Sequence, residues 1–404
     1  MKADETNFKD KYIKNNISKI KMPKSINVEV KPEVFKWLRE SSGWTFEDTS
    51  KRLKTNVENI KKFENGEKSP TLRQLKELSQ AFKRPLAAFF LSKPKEGKKL
   101  PEDYRMLPDR KGVFDKKTIL AIRKARSLQH IGKELSSNIK YETEPKIKKA
   151  NPSSNPEIIG KEYRKIFNLS EEKQRKFKDP YKLFHYIRNI LEDMNILVFQ
   201  ISMPIEDARG FSLTDDFPAV IVVNTKDSIE ARLFSLMHEF AHVLLGETVI
   251  DLPEISLTIR NRIEKWCNEF ASSFLLPKET AKTIFQSIDA DLTTKKTLDS
   301  LSRKYKVSKA MLLLSMYKLN YISKTEYRDV LDRYKPKEIS ITKEERKRGG
   351  GIPSDRRCLS EVGNKFVSLV ANNFDRKYIT YSDALNYLSI KSKNFDKVLA
   401  RAEK

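Results

Sequence analysis

The sequence predicts a mostly α-helical protein with one small β-sheet. Three observations carry that prediction. Short helical patterns with cap residues fill Ile26 to Phe90 and return from Thr297 onward. Two apolar runs bounded by turn residues, "NILVFQIS" (195–202) and "AVIVVN" (219–224), read as strands. Between these regions lies "LFSLMHEFAHVLLGE" (233–247), apolar on nearly every side and therefore a buried helix. The expected layout is an N-terminal helical bundle, a central α+β domain and a C-terminal helical region.

In chain order, residues 1–24 read as a basic, flexible arm. The bundle of 25–95 contains "PEVFKWLRE", "TFEDTSKRL", "NVENIKKFE", "SPTLRQLKELSQAF" and "PLAAFF". Thr45 has Asp48 at capping-box distance, Ser69-Pro70 is a cap and first-turn pair, and Asn65-Gly66 ends the third helix. Residues 96–155 read as a connecting helix around Lys117–Ser136 and a linker, since "KYETEPKIKKANPSSNPEIIG" is poor in apolar residues. The α+β domain is expected over 156–290: helices near Pro156–Phe167 and Tyr181–Met194, the first strand, the turn-rich "DARGFSLTDDFP", the second strand, then two helices. The second of these, "RNRIEKWCNEFASSFLLP", stops before Pro277. A helical segment over 291–342 follows, and the basic, glycine-ended "KEERKRGGG" (343–351) sets off a small helical region, 343–404.

Composition narrows the function classes. The chain has 404 residues, 38% of them hydrophobic, and 22 Phe, enough for real cores. No apolar run approaches the roughly 20 residues of a membrane-spanning helix, and the polar start "MKADETNFKDKYIKNN" lacks a secretory core. Only Cys267 and Cys358 occur, too few for a disulfide framework. The expectation is a cytoplasmic protein without membrane contact. A net charge of +25 permits nucleic-acid binding through phosphate attraction. Lysine spread along the whole chain has the same effect without any such role, so charge alone decides little.

The buried helix carries H-E-x-x-H: His238, Glu239 and His242. Positions four apart share a helix face, so both imidazoles can reach one cation. Glu239, about 100° round the helix, is placed to take a proton from an attacking water. Zinc suits such ligands and uses three protein ligands in catalytic sites. The bland alternative is two core histidines bonded to backbone. The next helix offers a third ligand: Glu264, four residues before Asn268, which can act as a partner for a histidine. Glu269, about 140° away from Glu264, and Cys267 are the competing ligands on that helix.

"HEFAH" followed by "EKWCNEFASSFLLP" resembles the ImmA/IrrE family of zinc metallopeptidases, and "RGFSLTDDFPAVIVVN" (209–224) resembles that family's region before the active helix. The resemblance spans roughly 160–320. It implies a gluzincin-like fold with zinc on His238, His242 and Glu264 and with Glu239 as general base. It also raises the possibility that "AVIVVN" is an edge strand aligning an extended substrate; an ordinary buried strand is the alternative.

"WTFEDTSKRLKTNVENIKKFENGEKSPTLRQLKELSQAF" (44–82) is similar to XRE-type helix-turn-helix domains, through Thr45, Leu53, Val57, Ile60, "FENG" and "SPTLRQL". Phe46 and Ser50 depart from that pattern, which often has Gln and Ala there. Asn56, Glu58, Asn59, Lys61 and Lys62 are the candidate DNA contacts. "LDSLSRKYKVSKAMLLLSMYKLNYIS" (298–323) also looks like a helix-turn-helix, expected as a packing element rather than a DNA reader. Together these features lead to the expectation of a zinc endopeptidase with a DNA-binding module. In the family such enzymes often cut XRE-type repressors, and a homodimer is allowed. The rivals are a DNA-binding regulator with a structural or vestigial zinc site, and an antitoxin-like interaction protein.

Overall fold

The computed structural model describes residues 26–82, 84–94, 115–246, 250–251, 262–333 and 353–402. The expected arm, most of the connector before Asp115 and "KEERKRGGG" lie outside them. The chain forms two compact units, Met1–Lys99 and Leu100–Lys404.

The first unit is a bundle of helices Pro32–Ser41, Phe46–Leu53, Val57–Asn65 and Leu72–Phe82, with a 3-10 turn at Leu86–Phe90. Each amphipathic helix turns one stripe inward, and Phe35, Leu38, Ile60, Leu75, Phe82 and Phe89 form the core. Thr45 and Asp48 make the reciprocal capping box, at 3.1 and 3.2 Å. Lys54 ends its helix in the left-handed region (φ 51°), and Asn56 caps the next one, so the chain reverses within a few residues. Arg39 and Glu64, both nearly buried, join the first and third helices through two hydrogen bonds of 2.5 and 3.0 Å. The two departures from the helix-turn-helix pattern are absorbed by local chemistry. Phe46 lies under the Arg39 guanidinium at 4.1 Å, and Ser50 donates its hydroxyl to the Glu47 carbonyl.

The second unit is built on a four-stranded sheet of order β1-β3-β2-β4: β1 Ile196–Ile201, β2 Gly210–Leu213, β3 Ala219–Asn224 and β4 Ile250–Asp251. β1 runs parallel to β3, while β2 is antiparallel to both β3 and β4. β1 and β3 are buried at every residue, as a parallel pair covered on both faces requires. Their alternate side chains enter two separate cores. Ile196, Val198 and Ile221 meet helices Pro180–Asp193, Ile229–Leu245 and Arg262–Leu275. Leu197, Phe199 and Val222 meet helix Lys116–Asn138 and the C-terminal helices.

This arrangement corrects one expectation. β3, considered as an edge strand for substrate, is interior and pairs with a neighbour on each side. Its unbroken apolar run reflects that double burial. The turn-rich segment before it contains a strand of its own, β2.

The stretch read as a linker (140–160) lies along the second unit, where its backbone is tied down. Lys146 and Ala150 donate their N–H groups to the carbonyls of Met194 and Leu244, and Trp266 donates to the Ser154 carbonyl. Likewise, the C-terminal helices are part of the sheet's second core, where Phe366 packs edge-on against Phe199. Helices Lys295–Tyr305 and Lys309–Lys318 bury Leu298, Leu301, Met311, Leu312, Leu313 and Met316 in the first core, so their apolar side is used for packing. Among the described residues no helix is long and apolar enough to cross a membrane.

The C-terminal helix Ser354–Asp375 is broken at Gly363, whose φ of 81° and ψ of 164° are open essentially to glycine alone. Arg188 and Glu192, one turn apart on Pro180–Asp193 and both buried, fill the break. Arg188 donates to Glu192 at 2.8 Å, to the carbonyls of Leu359 and Ser360 on one side, and to Val198 of β1. Glu192 accepts from the Lys365 N–H on the other side at 2.9 Å. Burial pushes Arg188 down and Glu192 up, toward their neutral forms, while their mutual charge opposes this. A Cβ at Gly363 would collide with the Glu192 carboxylate. Gly363→Ala is therefore expected to lower the unfolding free energy by about 2–4 kcal/mol, from backbone strain and a displaced ion pair. Denaturant unfolding measures this, and an unchanged midpoint would contradict the account.

Candidate metal centre

Helix Ile229–Leu245 starts where the Ser228 hydroxyl accepts from the Ala231 N–H and ends at Gly246 in the left-handed region. It lies between the sheet and helix Arg262–Leu275. Leu233, Leu236, Phe240 and Leu244 bury its faces, so the polar residues it carries are enclosed as well: His238, Glu239 and His242 are at most 1% exposed. Their placement follows from β3. Asn224, at the strand's end and fully buried, donates to the carbonyls of Met203 and Ala208 and accepts from the N–H of Lys226. That network fixes the turn from which the helix departs.

Three side chains converge. His238 Nε2 and His242 Nε2 are 3.2 Å apart. Glu264 places Oε2 3.2 Å from His238 Nε2 and Oε1 3.4 Å from His242 Nε2. Donors about 2.0–2.1 Å from one tetrahedral zinc stand roughly 3.3 Å from one another, so the separation of the two ring nitrogens fits an edge of such a site, and Glu264 approaches each ring with a different carboxylate oxygen. Burial holds His242 below the ordinary imidazole value, against the pull of Glu264, and so favours the neutral ring that a ligand needs. Burial would raise the Glu264 carboxyl, but hydrogen bonds from His238 and His242 outweigh it, and the group is held well below the usual carboxylate range. Its side chain is 29% exposed, so it forms the solvent-facing side of the cluster.

The competing ligands on that helix are placed elsewhere. Among the described residues the metal-competent group consists of His238, His242 and Glu264; Cys267, although buried, is outside it. Glu269 is turned to Lys318 Nζ at 3.9 Å. Asn268, expected as a histidine's partner, makes no hydrogen bond among the described residues, and His242 Nδ1 has none there either. One residue beside the site escaped the sequence reading. Gly210 of β2 lies against Glu239, and a glycine inside a strand is the available signal for such a close approach.

On the helix-turn-helix unit, Asn56, Glu58, Lys61 and Lys62 are exposed, and Asn59 is half-buried. Asn56 is occupied as a cap, accepting from the Asn59 N–H at 2.9 Å. The Asn59 amide donates to Thr55 and accepts from Lys68. Both asparagines are thus engaged within the fold, while the two lysines present their charge outward.

Residues 191–316 match the family model Peptidase_M78, IrrE N-terminal-like domain, and residues 35–89 match HTH_3, helix-turn-helix. One polypeptide thus joins a Peptidase_M78 domain to an N-terminal XRE-type helix-turn-helix domain. The first match takes in β1 to β3 and both helices of the cluster; helix Lys116–Asn138 and the C-terminal helices lie outside it. A comparison with curated proteins gave no match, and one with solved structures gave none.

The placement separates the rival ligands by experiment. Cys267→Ser should retain metal at the wild-type stoichiometry, whereas Glu264→Ala should weaken it by at least about tenfold. Competition titration with a chelator reads both, and metal loss in Cys267→Ser alone would reverse the assignment.

Proposed function

We propose that the protein is a zinc-dependent, site-specific endopeptidase with a DNA-binding module, and that it cleaves a regulatory protein to control transcription. The observation that carries this reading is the approach of two imidazole nitrogens and one carboxylate to within 3.2–3.4 Å of one another beside Glu239. The Peptidase_M78 match supports it. His238, His242 and Glu264 would hold zinc, which when bound polarises a scissile carbonyl and makes water acidic enough to deprotonate near neutral pH.

The remaining work falls to the chain's own groups. Glu239 takes the proton from the attacking water and passes it to the leaving amine, which needs a carboxylate within hydrogen-bond reach of both. Enclosure by apolar side chains keeps bulk water from the reacting groups and strengthens each charge interaction there. With the general base in place beside the ligands, chemistry is favoured over a purely structural metal, which more often has four protein ligands. The substrate class is a small XRE-type repressor, cut at one site, in the cytoplasm. The N-terminal unit holds the enzyme on DNA by lysine contacts to phosphate, with Lys61 and Lys62 as the outward charges.

Glu239→Gln is expected to keep zinc and lose at least about 100-fold in cleavage of a repressor co-expressed from a neighbouring gene. Cleavage at the wild-type rate would sink the mechanism. His238→Ala should lose the metal, and stoichiometric zinc in that variant would refute the ligand set. For the other unit, replacing Lys61 and Lys62 by Ala should flatten the slope of log affinity against log salt by about 0.9 per lost phosphate contact. Fluorescence anisotropy on duplex DNA measures it, and an unchanged slope would remove those lysines from the interface.

A further inference from the structure

The reading of Glu239 as general base leaves open what aims its carboxylate, and here the sheet supplies a residue. Gly210 opens β2, opposite Val223 of β3 and Asp251 of β4. Its backbone is not in the left-handed region that favours glycine, so conformation alone would admit alanine there. Space does not. A Cβ at this position would lie 3.1 Å from Glu239 Cγ, 3.2 Å from Glu239 Oε1 and 2.9 Å from the Val222 carbonyl oxygen. Glu239 is itself fully buried and is held on a helix packed against this strand, so it has little room to withdraw from an added methyl group. Close-packed interiors transmit such an intrusion rather than absorb it.

We infer that Gly210 is a positioning residue for the Glu239 carboxylate: bare main chain at the start of β2 forms the wall that sets where the general base points. This rests on the proposed peptidase reading, but its geometric core can be tested without catalysis. An alanine at 210 presses on two different things, the Glu239 side chain and the β3 backbone, and a double-substitution cycle tells them apart.

The experiment compares full-length wild type, Gly210→Ala, Glu239→Ala and the double variant, each loaded with zinc. Melting temperature and zinc content are measured for all four. Gly210→Ala should lower the melting temperature by clearly more in wild type than in the Glu239→Ala background, where Cγ and Oε1 are gone. Equal losses in the two backgrounds would assign the glycine to the sheet alone and overturn the inference. Should Gly210→Ala fail to fold, recovery of folding in the double variant supports the inference, and failure of both overturns it. On the repressor substrate, Gly210→Ala should keep its zinc and lose about 10- to 100-fold in kcat with KM little changed, the signature of a misplaced catalytic group. Full kcat would overturn the inference. Failure of the peptidase reading shows up separately, as cleavage that survives Glu239→Gln, and the melting cycle is unaffected by it.

Discussion

Burying two imidazoles and a carboxylate at the junction of a helix pair and a sheet, with a second carboxylate at their solvent edge, is the constraint around which the larger unit is organised. A polar group taken out of water without a partner costs a few kcal/mol, and an isolated charge costs far more. His238, Glu239 and His242 share one short stretch of an otherwise apolar helix, so no single element can satisfy them. The Glu264 carboxylate comes from the following helix and stands within 3.4 Å of both ring nitrogens. A cation among the three donors would complete the compensation, which is why the same geometry that looks costly as a core looks ordinary as a metal centre.

The sheet meets a related demand. β1 and β3 carry apolar side chains on both faces, and each face needs its own cover. The paired helices of the Peptidase_M78 segment, with helix Pro180–Asp193, supply one cover, while helix Lys116–Asn138 and the C-terminal helices supply the other. The two layers are fastened at the Gly363 break, where the buried Arg188–Glu192 pair binds the carbonyls of one half-helix and an amide of the other. An ion pair in such surroundings adds little net stability by itself, but losing either partner strands the other charge, at about 3–5 kcal/mol. Its use here is to fix register between layers that come from distant parts of the chain.

Much of the local structure was legible in the sequence because it depends on neighbours. The capping box at Thr45, the left-handed end at Gly66 and helix Arg262–Leu275 follow from residues within one turn, whereas the cap read at Ser69-Pro70 falls instead on Thr71, which accepts from the Gln74 N–H. His238 and His242 were legible for the same reason, since a spacing of four fixes their common face. The choice among Glu264, Cys267 and Glu269 was harder, because all three are chemically plausible and the rotation of one helix against another decides between them. Spacing suggested Asn268 as a partner for a histidine, and helix packing did not make that bond. Strand β2 stayed hidden inside a turn-rich segment, since four residues of pairing leave almost no periodicity to read.

What the sequence by itself determined was the set of elements and the chemistry that two of them carry, through short-range patterns that survive any packing. The interior position of β3, the assembly of the far cover from residues 116–138 and 354–402, and the closeness of Gly210 to Glu239 were decided only in three dimensions. Each is a contact between segments separated by tens to hundreds of positions. Side-chain type constrains which faces are apolar, but not which distant apolar face each will meet. That pairing is settled by the joint burial of every face at once, and it gives a single glycine in a short strand its bearing on the candidate general base.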